Sequence, residues 1–351
     1  MSLMSSVSLT DIARKLGLSH ATVSLVLNDK PIRVSKETRQ RIQQTAKKLH
    51  YRPNSVARAM RSSRFQQIGM LLDYDTELLH FPSFEFLTLC GATDFLTERN
   101  WRLLVFRTSA ATRNNPTEFL FMRERSLDAL IATDLRSNLR TVLSRFSIPC
   151  ISVNAPPGTN TVSVDDFTIA YEATQYLLKM GHRRIVFYSF NDYPVTVAGR
   201  RKGYVAALRE AGLSPAVVQD GHFGIFITET PQEKEKAEKE MRETFRACIA
   251  QHRPTAFLVL ADYVAYRLYA FAAEEKLHIP DDISILALDS SFEAAGLANP
   301  PLSAYKVRFY EIGRTAAEMA MKLVSGKSPS LPGKKVGADF VARASVGPPA
   351  K

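Results

Sequence analysis

Apolar positions in the first fifty residues recur at helical spacing. Ile12, Ala13 and Leu16 share one face of a first predicted helix, Val23, Val26 and Leu27 one face of a second, and Ile42, Ala46 and Leu49 one face of a third. The punctuation agrees with that period. Ser8 with Asp11 three positions on suits a reciprocal cap, and Gly17 supplies the permissive backbone that ends a helix. Ser19 suits the cap of the second helix, Asn28-Asp29 its end, and Ser35 the cap of a third running to about His50. Two helices joined by about three residues around a glycine, braced by a third, form the helix-turn-helix pattern.

From Ile68 the pattern changes. Apolar runs of strand length occur at 68–72, 102–106, 127–133, 150–154, 184–190, 256–261 and 283–289. Helical patterns intervene at 84–99, 136–146, 167–180, 197–211, 263–276 and 309–325. Continuous apolar strands alternating with helices predict parallel sheets covered on both faces. This stretch is longer than one sheet needs, so two α/β lobes are expected, with a ligand cleft at the carboxyl ends of the strands. The segment 228–251 is densely charged with i,i+4 acid–base pairs and reads as the solvated face of a helix.

Charge separates the two regions. Residues 1–64 carry 13 Lys and Arg against three acids, whereas the other residues carry 33 against 32. A basic segment with its own apolar face is a folded module rather than a tail, and it points to a polyanion, duplex DNA above all. The second helix of a helix-turn-helix enters the major groove by its N-terminal side chains. Those are His20 and Ala21, with Ser24 and Leu25 one turn on. Ser8, Ser19, Thr22, Asn28, Ser35 and Thr38 lie at helix ends, where hydroxyls, amides and backbone N–H groups bind phosphate. Beyond Tyr51, Pro53 blocks continuation of the third helix and Asn54 can cap a new one. That helix would be too short to persist alone in water.

The stretches "VSLTDIARKLGLSHATVSLVLN", "RVSKETRQRIQQTAKKLHYRPNSVARAMRSSR" and "IGMLL" resemble the lactose-repressor (LacI/GalR) family of bacterial transcription regulators. So do "SVDDFTIAYEATQYLLKMGHRRIVFYS", "GRRKGYVAALREAGL", "PTAFLVLADYVAYRLYAFAAEEKLHIPDDISILALDSS" and "FVARASVGPP". The resemblance implies three parts: an all-α helix-turn-helix domain over 1–50, a hinge over 51–65, and an α/β two-lobed periplasmic-binding-protein-like domain over 66–351. It places the first lobe at 66–164 and 291–324, and the second at 165–290 and 325–351. It also implies a homodimer on double-stranded operator DNA, with Tyr51 and Asn54 at the start of the hinge. Val56 and Ala57 would then pack hinge against hinge, and Met60 would wedge into the minor groove where the family usually has leucine. Leu25 stands where the family often has Arg or His, so an apolar contact such as a thymine methyl replaces a bidentate bond to guanine.

Positions matching the family's effector site are Thr196, Arg200, Phe223 and Asp289, with Asp262 close by and Phe84 in the place of an aromatic after the first strand. Arg200 and Asp289 offer charge-assisted bonds to hydroxyls and Phe223 an apolar cover, which suits a sugar-like small molecule. An enzyme is the alternative: Asp165, Asp166, Asp262 and Asp289 supply carboxylates of the kind a glycoside hydrolase uses. No GxSxG, GxGxxG or complete phosphate loop accompanies them, and the expectation is a regulator with neither catalytic residues nor cofactor. Cys90, Cys150 and Cys248 are scattered without a CxxC, and the histidines lack ligand spacing, so no disulfide frame and no metal site is expected. "MSLMSSVSL" has neither the charged start nor the apolar core of a secretory signal, and no apolar run spans a bilayer. The expected compartment is the cytoplasm, with no membrane partner.

Overall fold

The computed structural model describes residues 7–28, 30–51, 64–72, 83–108, 119, 124, 126–133, 148–190, 194–220, 230–290, 294–326 and 328–350. They fall into two units, 1–65 and 66–351.

The first unit holds α1 (Leu9–Leu16), α2 (His20–Leu27) and α3 (Lys36–Lys48) around Ile12, Ala13, Val23, Val26, Ile42 and Ala46. Each helix start is fixed by a serine. The Ser8 hydroxyl accepts from the Asp11 amide while the Asp11 carboxylate accepts from the Ser8 amide at 2.9 Å. Ser19 and Ser35 accept from the Thr22 and Thr38 amides at 3.0 and 3.1 Å. Gly17 closes α1 at φ 64°, the left-handed conformation that costs a side chain most.

Among the described residues, the second unit contains two six-stranded sheets. One joins β1 (Gln67–Leu72), β2 (Arg102–Arg107), β3 (Ala129–Thr133), β4 (Cys150–Val153), β5 (Thr161–Val164) and β11 (Lys334–Val336) in the order β11-β5-β4-β3-β1-β2, all parallel. The other joins β6 (Ile185–Phe190), β7 (Ala216–Asp220), β8 (Ala256–Val259), β9 (Ser284–Ala287), β10 (Ser303–Val307) and β12 (Ala338–Val341) in the order β12-β10-β9-β8-β6-β7. Among the described strands of that sheet, β12 alone runs antiparallel to its neighbour. The helices are α4 (Ser83–Thr97), α5 (Asp166–Lys179), α6 (Pro194–Glu210), α7 (Pro231–His252), α8 (Asp262–Glu274), α9 (Ala294–Leu297) and α10 (Phe309–Val324).

Strand pairing moves the expected lobe boundaries. The resemblance implies that 291–324 belongs whole to the first lobe, yet β10 within it pairs with β9 of the second sheet. The chain therefore crosses at Arg308, after which α10 packs on α4. The resemblance implies that 325–351 belongs whole to the second lobe, yet β11 pairs with β5 of the first sheet. The return crossing is at Gly337, between β11 and β12. Short strands containing polar residues, the inner "SAYKV" and the edge strand "KKV", lack the continuous apolar signal that marks the others.

Two helix pairs meet backbone to backbone. A Cβ on Gly91 would stand 2.0 Å from the Tyr310 carbonyl oxygen, so α4 and α10 touch where glycine leaves room. A Cβ on Gly203 would stand 2.2 Å from the Phe167 carbonyl oxygen, joining α6 to α5 in the same way. The charged helix α7 buries Ala237, Met241, Phe245 and Cys248 and pairs outward, Arg246 to Glu275 at 2.6 Å and Glu238 to Arg267 at 2.7 Å.

Candidate functional site

On α2 the outward positions are His20, Ala21 and Leu25, continued by Asn28 at its C-cap. Leu25 is 36% exposed, large for an apolar residue on a helix whose other branched side chains pack inward. Ser24 differs from expectation. At 9% exposure it lies among the packed residues, between Val23 and Val26, and its carbonyl accepts the Asn28 side-chain amide at 2.7 Å. Thr22 and Thr38 share their caps' hydroxyls, with Ser19 Oγ to Thr22 Oγ1 at 2.8 Å and Ser35 Oγ to Thr38 Oγ1 at 2.9 Å. These side chains therefore set the helix N-termini, leaving backbone N–H groups with a favourable dipole for an anion. Tyr51 packs against the three-helix core, its amide donating to the Ala46 carbonyl at 2.9 Å. Asn54, Val56, Ala57 and Met60 lie outside the described residues.

The second candidate site lies at the carboxyl ends of β8 and β9. Leu260–Asp262 follow β8, and Asp289 and Ser290 follow β9, with the Asp262 amide donating to the Asp289 carbonyl at 2.9 Å. Asp262 is half-buried, and burial pushes its carboxyl up, a bond with Ser290 offsetting part of the shift. The Asp289 side chain is 19% exposed and stands 3.9 Å from Arg200 Nη2. Thr196, near the start of α6, donates to the Asn154 side-chain oxygen after β4 at 3.2 Å, a polar contact from one lobe to the other.

Arg200 was expected to reach a ligand. It is 2% exposed instead, and its Nε donates to Asp166 at 2.9 Å while Nη1 donates to the Leu260 carbonyl. The guanidinium is thus a strut beneath the strand ends, holding Asp166 and Asp289 from behind. Asp166 is buried too, and desolvation pushes its carboxyl up to about 6 even with the Arg200 charge opposing the shift. A helical stripe of Val197, Arg200, Tyr204 and Leu208 carried the signal that Arg200 faces inward.

Phe84, at the start of α4, lies beside the carboxyl end of β10. Its ring meets Phe309 edge-on at 5.2 Å, at the start of α10. Phe223 lies outside the described residues. Among the described residues, no group of three or more His, Cys, Asp or Glu could hold a metal ion, and no helix is long and apolar enough to cross a membrane.

Known proteins share both parts. Residues 8–54 match the pattern of the bacterial regulatory proteins of the lacI family, and residues 174–346 match a periplasmic binding protein-like domain. The catabolite control protein A of Priestia megaterium is 26% identical over 328 residues, covering 91% of this chain and 93% of that protein. The HTH-type transcriptional repressor PurR of Histophilus somni (strain 2336) is 26% identical over 337 residues, with the same coverage of 91% and 93%. In fold, the chain is similar to the lac repressor dimer bound to operator and the anti-inducer ONPF, at a TM-score of 0.76 and 20% identity over 97% of this chain and 99% of that one. It is also similar to the transcriptional regulator CelR in complex with cellobiose, at 0.68 and 20% with the same coverage of 97% and 99%. In this chain a capped, basic helix-turn-helix that matches the lacI pattern is followed by two α/β lobes carrying the periplasmic binding protein-like match, and the chain belongs to the LacI family of bacterial regulatory proteins.

Proposed function

We propose that the protein acts in the cytoplasm as a homodimeric repressor that binds a pseudo-palindromic duplex site, one α2 per half-site, and is released or retained according to a small sugar-like effector. The carrying observation is the outward stripe of His20, Ala21 and Leu25, continued by Asn28 at the C-cap, on a serine-capped helix within the most basic part of the chain. Three capped N-termini bring backbone N–H groups to phosphate, and the stripe faces base edges. Residues 54–60 would pair in the minor groove between the half-sites.

Effector recognition rests on Asp289 and Asp262, carboxylates at the strand ends that accept from hydroxyl groups, with Arg200 fixing Asp289 from below. The cellobiose held by the solved relative of the same fold supports a sugar-like ligand here. Effector binding that changes the angle between the lobes needs a coupling of only about 1–3 kcal/mol to alter operator affinity 5- to 150-fold.

Selection of duplexes from a random library by the full-length protein tests the DNA reading. The expected product is a two-fold symmetric motif whose binding weakens steeply with salt, the slope being about −0.9 per phosphate neutralised. Absence of an enriched motif, or a flat salt response, overturns it. A thermal-shift screen of sugars, nucleobases and sugar phosphates tests the effector class, the expected hit being a neutral sugar.

A further inference from the structure

The first crossing between the lobes is made by two consecutive aspartates with different partners. Asp165 faces the hinge: its amide donates to the Val336 carbonyl at 2.9 Å and its carboxylate accepts from Lys335 Nζ at 2.9 Å. Both partners lie on β11, just before the return crossing at Gly337. Asp166 faces the other way, into the buried contact with Arg200 at 2.9 Å, and Arg200 reaches the ends of β8 and β9 through Leu260 and Asp289.

We propose that Asp165 and Asp166 form a two-residue coupler of positioning residues, which converts displacement of the Arg200–Asp289 strut into movement of the Lys335 hinge strand. Three observations make the link stiff. Asp165 sits at φ −81°, ψ 64°, outside the helix, so rotation there turns both carboxylates at once. The backbone of α6 lies against Asp166, since a Cβ on Gly199 would stand 2.8 Å from the Asp166 Cβ, so Asp166 cannot move without α6. The Asp166 carboxyl also responds to the charges of Asp165 and Lys335, so the two ends interact through space as well as through the chain. The other hinge clasp, Arg308 Nε to Asp339 at 3.0 Å, adjoins neither aspartate and serves as a control. The role in regulation rests on the proposal that Asp289 lies at the effector site.

The test is amide hydrogen exchange on the full-length protein, without DNA or ligand, so a failed effector screen and a failed coupler give separate results. Asp166→Asn is expected to speed exchange at 334–338 at least fivefold, across the hinge from the substitution. Asp165→Asn and Lys335→Met, at more exposed positions, are expected to speed exchange at 197–204 and 260–263, and Lys335→Arg is expected to restore it. Arg308→Met is expected to leave 197–204 unchanged. If Asp166→Asn does not fold, the Asp165 and Lys335 variants decide the matter. Changes confined to each substituted residue's own neighbours would overturn the coupler. So would additive effects of Asp165→Asn and Asp289→Asn on affinity for the library-selected duplex, where at least threefold non-additivity is expected.

Discussion

Gly313 on α10 lies against Thr88 on α4 so closely that a Cβ would stand 1.9 Å from the Thr88 carbonyl oxygen. The obstacle is main chain, which cannot swing aside as a side chain can. Gly313→Ala must part the helices and disturb the buried contacts between them. The expected loss is about 3 kcal/mol, at the upper end for overpacking, measured by urea unfolding. A loss below half of that would mean the helices separate easily.

Arg200→Ala removes the cation between Asp166 and Asp289 and leaves a buried carboxylate without its 2.9 Å partner. Breaking a buried pair from one side costs about 3–5 kcal/mol. The loss should be larger at pH 7.5 than at pH 5.5. Burial already pushes the Asp166 carboxyl up to about 6 against the opposing Arg200 charge, and removing Arg200 raises it further. A carboxyl raised on folding favours the native state at low pH and loses that contribution as pH climbs through the folded value. Thermal melts at the two pH values check both the size and the sign.

His182 gives the opposite dependence. It is fully buried, its Nε2–H donating to the Gly347 carbonyl at 2.8 Å and its Nδ1 lying 3.0 Å from the Thr255 hydroxyl. Burial holds its pKa below the ordinary 6.5. Its contribution is complete above that value and is lost as pH falls toward the folded one, because the unfolded chain takes up the proton first. His182→Gln should be less stable than the parent at pH 7.5 and should lose less on acidification to pH 5.5. A parallel loss in both proteins would remove His182 from the acid response.

Leu25→Arg should change which duplex is preferred more than how tightly DNA is held. At 36% exposure on α2, the leucine offers only apolar contact. Arginine can bond guanine at two points, which is worth about 1–3 kcal/mol of discrimination between bases. Added charge also raises affinity for any duplex, so the quantity to measure is the ratio between guanine- and thymine-bearing half-sites. An unchanged ratio would place residue 25 away from the bases.

The reader domain was legible because its determinants are local. Ser8, Ser19 and Ser35 each act on the residue three positions away, and their spacing states each helix start. The central strands were legible for the opposite reason: both faces are covered, so β3, β8 and β9 are buried at every position and apolar except for Thr133 and Ser284. The edge strands β11 and β12 and the half-exposed β7 carry no such signal, and pairing across long sequence separations decides where they go. Arg200 shows the limit at the site. Resemblance marks the position, but only packing reveals that its guanidinium is committed to Asp166 and Leu260.

The two sheets are finished by neighbouring pieces of chain, β11 at 334–336 on one and β12 at 338–341 on the other. During synthesis, residues 1–65 leave the ribosome long before either piece exists, at about 5–20 residues per second. The nascent protein therefore owns a finished DNA reader well before it owns a sensor. Both sheets are completed within the same few residues, so the second unit acquires its last two strands together.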